Sequence, residues 1–359
     1  MKYGIITHYD VHNHGALLQL YAMKRILGSF DIEATALQFD KNYDFMGVAN
    51  KAKYEISLKS VGVYVRFLLQ RGVGSTFFNY NKRRLLNEFR KKSNLIGPYY
   101  SECENLDGVV IGSDEVFALH TGITPVFFGH ALPSLKVFAY GGCFGPTTMA
   151  DIDKWHCRAL ISSGLNEMCG LGMRDQNSLY ITKQLTGREG TLVCDPVILY
   201  SYKDELAHVV RPCQSPYMLV YSYDNKFDNQ AQVIKEYAAK KGLKIISPGF
   251  YHKWVDANVN VDPIELLTWF KFAECVVTNT FHGCVLSIIT GREMAVMIRD
   301  NANKLQNLIE EYNIEDRVFD ENKTLEGVLE GMVNWDDVNQ QLCQRRAESM
   351  DYLKQMIAK

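Results

Sequence analysis

One stretch constrains this chain more than any other: Cys275-Val-Val-Thr-Asn-Thr-Phe-His-Gly-Cys-Val-Leu-Ser-Ile-Ile-Thr290. Residues 274–278 form a short run rich in β-branched side chains, which predicts a buried strand. A polar turn follows, then a longer apolar segment closed by Gly291, which predicts a helix opening near His282. A buried strand that turns straight into an apolar helix is one unit of an α/β fold. Thr280 is placed to cap that helix and His282 falls in its first turn. Free backbone N–H groups and the positive end of the dipole there favour an anion. A histidine at such a place can hold a phosphate and move a proton.

The rest of the chain repeats the pattern. Residues 3–7 read as a strand, 8–14 as a polar loop with His8, His12 and His14, and 15–27 as a helix. Residues 34–39 are the second strand, and 55–92 are helical with breaks at Gly72 and Gly74. Strands over 107–111, 136–140, 168–173 and 191–194 each end in a polar or glycine-rich turn. Those turns are Gly112-Ser113-Asp114-Glu115, Gly141-Gly142-Cys143-Phe144-Gly145, Arg174-Asp175 and Asp195-Pro196. In open parallel sheets that edge is where ligands bind. Residues 204–216, with Pro212 and Pro216, mark a boundary. A second α/β unit starts at Tyr217, with strands over 217–223, 243–246 and 294–298 around the central one. Asp262-Pro263-Ile264-Glu265 is a strong helix start, since Asp caps, Pro occupies the first turn and Glu closes a capping box. Asn334 caps a long final helix. The expected architecture is two Rossmann-like domains facing a cleft, 1–205 and 215–333, with 334–359 packing back across both.

At 359 residues the chain is too long for one typical core, which fits two domains. A net charge of −2 argues against a nucleic-acid partner. The nine cysteines are scattered without a C-x-x-C pair, so reduced thiols and a cytosolic setting are expected. No apolar run is long enough to span a bilayer, and the N-terminus lacks the apolar core of a signal peptide. Gly170-Leu171-Gly172 lacks the third glycine of a dinucleotide fingerprint, and no P-loop, H-E-x-x-H or G-x-S-x-G segment occurs. No metal site is expected, including at His8, His12 and His14.

The ordered motifs resemble the polysaccharide pyruvyl transferases. The likeness is carried by Asn13-His-Gly-Ala-Leu-Leu-Gln-Leu-Tyr-Ala22, Val110-Ile-Gly-Ser-Asp-Glu-Val-Phe117 and Ala139-Tyr-Gly-Gly-Cys-Phe-Gly145. It continues through Gly172-Met-Arg-Asp175, Cys194-Asp-Pro196 and Val277-Thr-Asn-Thr-Phe-His-Gly283. It spans roughly residues 3 to 320. Three positions depart: relatives commonly carry Gln and Trp where Glu115 and Phe117 stand, and some carry Arg where Thr280 stands. The resemblance implies a GT-B-like fold, no cofactor, and transfer of the enolpyruvyl group of phosphoenolpyruvate to a saccharide as a ketal.

That donor carries a phosphate and a carboxylate, so it asks for cations and helix-end amides. His282 is the candidate general acid or phosphate ligand, its ordinary pKa suiting proton transfer near neutrality. The competing reading is a capping histidine. Arg174 is the candidate clamp for the donor, against an interdomain ion pair. Asp114 is the candidate base for the acceptor hydroxyl, with Gly112 and Ser113 binding ligand, against a plain polar turn. Asn13, His14 and Gly15 are expected on the acceptor side, Thr280 and Gly283 beside the donor, and Arg299 and Lys304 as positive charge at the cleft; ordinary helix starts compete with these assignments. Asp195-Pro196 reads as a hinge or turn.

The partners expected are a small-molecule donor and a saccharide or lipid-linked saccharide acceptor. Lys82, Arg83, Arg84, Arg90, Lys91 and Lys92 cluster with Leu85, Leu86 and Phe89. A solvated helix face competes here with peripheral contact to anionic lipid at the inner membrane face, to which residues 64–69 would add apolar surface. Two other functions stay open: a GT-B glycosyltransferase using a nucleotide sugar, and a non-catalytic binding subunit of a glycan assembly complex.

Overall fold

The computed structural model describes residues 1–41, 58–298, 303–320 and 322–359, with side chains throughout except at 58–71 and 303. Among the described residues the first half holds seven strands: β1 (Lys2–Ile6), β2 (Glu33–Gln38), β3 (Ile96–Tyr99), β4 (Gly108–Ile111), β5 (Val137–Gly142), β6 (Gly170–Met173) and β7 (Thr191–Leu192). They lie in the order β3-β2-β1-β4-β5-β6-β7. The second half holds β8 (Tyr217–Tyr221), β9 (Lys244–Pro248), β10 (Ala257–Val259), β11 (Cys275–Thr278) and β12 (Met294–Val296), in the order β10-β9-β8-β11-β12. Every strand pair is parallel. β4, β5, β8 and β11 are buried along their whole length, as strands covered by helices on both faces must be.

The strand orders fix where a ligand can sit. In the first sheet the order reverses between β1 and β4; in the second, between β8 and β11. The crevices outside the carboxyl ends of those strands are the natural sites in such sheets. They are lined by the turns leading to helices His14–Gly28 and Phe281–Thr290 and by the turns after β4 and β8.

The halves are joined by packing. One apolar core runs through both, with Ile5, Leu17, Tyr140 and Val193 from the first and Leu219, Val276, Phe281 and Leu286 from the second. The final helix, Trp335–Ala358, starts on the second half and finishes on the first. Trp335 Nε1 donates to Glu293 at 3.1 Å and Arg345 pairs with Glu311. Further along, Arg346 Nε donates to the carbonyl of Ile198 at 2.7 Å, and Tyr352 OH to that of Ala139 at 2.7 Å. This explains Gly170 and Gly172: a Cβ there would lie 2.1 Å from Met356 Sδ and 2.7 Å from the Tyr352 ring.

Several expectations need correction. β3 and β10 are present although no strand is predicted over them. The boundary over 204–216 opens inside a helix, Lys203–Ala207. In the long helix Leu58–Lys92, Gly72 leaves helical geometry at φ 81°, but Gly74 does not. The basic cluster is not one solvated face: Arg90 is buried and bonded to the Val11 carbonyl, Lys82 is turned inward, and Leu86 and Phe89 belong to the core. Only Arg83, Arg84, Lys91 and Lys92 of the six remain exposed. The side chains of 64–69, proposed as apolar surface, lie outside the described ones. All nine cysteines are free, and among the described residues no helix is long and apolar enough to cross a membrane.

Candidate active site

Two helix starts meet at the centre of the crevice. The first is capped by Asn13, whose side chain accepts from the N–H groups of Gly15 and Ala16. The second is capped by Thr280, whose Oγ1 accepts from Gly283 N at 2.9 Å. The His282 imidazole lies against Gly15: a Cβ on that glycine would sit 2.2 Å from the ring. Gly283 is forced in the same way, since its Cβ would come within 2.0 Å of Thr278 Oγ1. His282 is 5% exposed and, among the described residues, its Nε2 has no hydrogen-bond partner. The nearest charge partner is Asp195, whose Oδ2 is 4.0 Å away.

Around this ring stands a charge network. Arg174 leaves β6 and donates to Asp195 Oδ2 at 2.9 Å, Asp114 Oδ1 at 3.4 Å and Cys143 Sγ at 3.0 Å. Its guanidinium lies over the Phe281 ring, 4.6 Å from the centroid. Lys304 reaches the same ring at 5.8 Å and pairs with Glu115 at 3.0 Å and Asp114 at 3.8 Å. Gln19 donates to Asp195 Oδ2 and, at 3.2 Å, to Ser113 Oγ. Asp195 Oδ1 caps its own helix by accepting from Val197 N at 2.9 Å. Three carboxylates thus face two cations among the described residues. The gap lined by Arg174, Asp195, Phe281 and Lys304 measures about 10 Å³, room for roughly one water.

The protonation states follow from these contacts. Burial pushes His282 down to about 4, with Asp195 and Asp114 opposing it, so the ring is neutral near pH 7. This corrects the expectation of a histidine poised near neutrality: loss of hydration outweighs the nearby carboxylates. Burial alone would raise Asp114, but Lys304 and Arg174 hold it well below the usual range. Glu115 is brought to about 2, where His120 and Lys304 outweigh burial. Burial raises the Cys143 thiol to about 12, so it stays protonated.

The other expected residues sort by position. Arg174 and Asp114 stand in the network with His282, and Lys304 joins them. Arg174 does not present a free guanidinium, since both its terminal nitrogens are engaged. Ser113 Oγ donates to the Gly141 carbonyl at 3.0 Å, so it holds the turn. Gly112 has φ 119°, and a Cβ there would meet the Tyr140 carbonyl at 2.2 Å. His14 is fully buried; its Nε2 donates to the Val261 carbonyl at 2.9 Å and its ring packs on Gly249, so it joins the two halves. Asn13 does the same through Tyr223, whose hydroxyl donates to it at 3.1 Å. Arg299 lies outside the described residues. Asp195, read as a hinge or turn, does cap a helix start and is also a buried hub of the network. Sequence reasoning does not pick out Gln19, Cys143, Phe281 or Glu115 as site residues. Asp195, Cys143 and Glu115 carry a usable signal, because each follows the end of a parallel strand. Among the described residues no group of three metal-ligating side chains is gathered.

Comparison with known proteins gives the family and the fold. The family model for polysaccharide pyruvyl transferase matches residues 13–301. No curated protein matches the chain in sequence. Among solved structures, UDP-GlcNAc 2-epimerase from Methanocaldococcus jannaschii is similar at 13% identity over 98% of this chain and 100% of that one, with TM-score 0.51. The glycosyltransferase SnogD from Streptomyces nogalater is similar at 12% identity over 100% of both chains, with TM-score 0.43. The likeness to the epimerase is one of fold: two Rossmann-like halves in a GT-B-like arrangement.

Proposed function

The chain belongs to the polysaccharide pyruvyl transferase family, and on that premise we propose that it moves the enolpyruvyl group of phosphoenolpyruvate onto a saccharide, free or lipid-linked, to form a pyruvate ketal. The coarser statement, a polysaccharide-modifying transferase, follows from the family alone. The observation that carries the finer one is the His282 imidazole, buried at the meeting of two helix starts with Nε2 unpartnered beside Asp195 and Arg174.

The chemistry requires a proton at C3 of the donor and removal of one from the acceptor hydroxyl. A bound phosphate dianion beside His282 raises the imidazole pKa, so donor binding charges the ring. The ring then protonates C3, and C2 becomes an electrophilic carbon. The acceptor oxygen bonds to C2 and its proton passes back to the imidazole. Cleavage of the C2–O bond releases phosphate, and a second hydroxyl closes the ketal, its proton leaving with the phosphate. One donor and two hydroxyls give one ketal and one hydrogen phosphate. Asp195 orients the ring and stabilises its charged form. The gap is too small for the donor as it stands, so binding requires Lys304 or Arg174 to exchange a carboxylate partner for a substrate oxygen.

Incubation with phosphoenolpyruvate and saccharide acceptors tests the reading, with phosphate release and acceptor mass both followed. The expected result is one phosphate per ketal formed. Nucleotide release from a nucleotide sugar, with phosphoenolpyruvate untouched, would replace it with glycosyl transfer.

A further inference from the structure

The His282 pocket holds more carboxylates than cations, so a phosphate held beside His282 calls for a further cation. The crevice supplies one. Lys82, on the helix Leu58–Lys92, places its ammonium 5.9 Å from the centroid of the Tyr223 ring. Tyr223 follows β8, and its hydroxyl donates to Asn13, which follows β1. Lys82 therefore stands where the turns from both switch points meet. Among the described residues no carboxylate lies within ion-pair distance of it. Its electrostatic neighbour is Arg83, a second cation, and together they also act on His12. The side chain is half-buried, and burial and Arg83 together lower its pKa to about 8, as befits a partly desolvated cation without a counter-charge. Such a charge is costly unless something pairs with it. The aromatic face offsets only part of that cost.

We propose that Lys82 is an anion-binding residue of the crevice, receiving the phosphate or diphosphate group of a substrate whose reacting end lies at His282. The substrate assignment rests on the proposed function; anion binding by Lys82 does not. Two sources share this chemistry: the phosphate of the donor, and a diphosphate joining the saccharide to its carrier.

The test compares wild type, Lys82→Met and Lys82→Arg in thermal shift and calorimetry, with phosphoenolpyruvate and inorganic pyrophosphate as separate probes. Without ligand, Lys82→Met should melt no lower than wild type, because an unpaired charge has been removed. With ligand, its affinity for at least one probe should fall by about tenfold or more, as expected for one lost charge-assisted contact, while Lys82→Arg stays within a few-fold of wild type. Loss confined to phosphoenolpyruvate assigns the donor phosphate; loss confined to pyrophosphate assigns the carrier diphosphate. Equal affinity of wild type and Lys82→Met for both probes, or no binding of either by wild type, overturns the proposal. If no ketal forms but Lys82-dependent binding persists, the subsite stands and the pyruvyl reading falls. If Lys82→Met forms the ketal with unchanged KM, the pyruvyl reading stands and the subsite falls.

Discussion

His282 begins neutral, and that state has a measurable cost. Its folded pKa is lowered to about 4, below the ordinary histidine value of about 6.5. As pH falls through that window the unfolded chain takes up a proton that the folded chain refuses, so stability is lost toward acid. Between pH 7 and 5 this one group contributes a loss of about 2 kcal/mol by linkage. Chemical denaturation at the two pH values should show His282→Gln losing less stability than wild type; an equal loss would mean the ring is not desolvated as described. Arg174 makes the opposite kind of prediction. Arg174→Met leaves Asp195 buried without its cation and Asp114 with Lys304 alone, and should cost about 3–5 kcal/mol. Adding Asp195→Asn should recover part of that, because the two sites share one network. Additive losses would separate Arg174 from Asp195. Loss of activity in Arg174→Met alone therefore says little about catalysis.

At the scale of elements, the meeting of the two helix starts is the sharpest target. Alanine is the better helix former, so Gly15→Ala would stabilise an isolated helix by about 1 kcal/mol. Here the new methyl group falls 2.2 Å from the His282 ring. Gly15→Ala should instead destabilise by about 1–3 kcal/mol through overpacking, and activity should fall with it. Combining it with His282→Ala should relieve the clash. Gly28→Ala, in the same helix with nothing within 4 Å of its Cβ, should be neutral or gain up to about 1 kcal/mol and serves as the control. A Gly15→Ala variant as stable as the Gly28→Ala control would show that the two helix starts do not touch. These helices were legible in the sequence because Asn13, Thr280 and the Asp262-to-Glu265 capping box announce their ends by local chemistry. β3 and β10 were not, being short, only partly buried edge strands, the first with Pro98 inside it. The site was half legible. His282, Arg174 and Asp114 each stand at the end of a buried strand or the start of a helix, where chemistry is expected. Asp195 was hidden because Asp-Pro is also the ordinary start of a helix, a role it fills as well. Its partners Gln19 and Arg174 come from distant segments, and no local pattern in the sequence joins them.

At the scale of the whole molecule, a core shared by both sheets and a final helix bonded to both halves predict one cooperative unit. Calorimetry should show a single unfolding transition, with calorimetric and van't Hoff enthalpies in agreement. Two separable transitions would mean that the halves are held by less than the packing suggests. The same closure bears on function, because the gap lined by Arg174 and Lys304 has room for about one water and must change its ion pairs before it can hold substrate. The most direct measurement of the central claim runs the reaction in deuterium oxide. With phosphoenolpyruvate and an acceptor, the ketal methyl group should carry a solvent-derived deuteron. His282→Gln should slow its formation by about 100-fold or more, the usual contribution of a positioned proton donor. A ketal formed at the wild-type rate by His282→Gln would contradict the account.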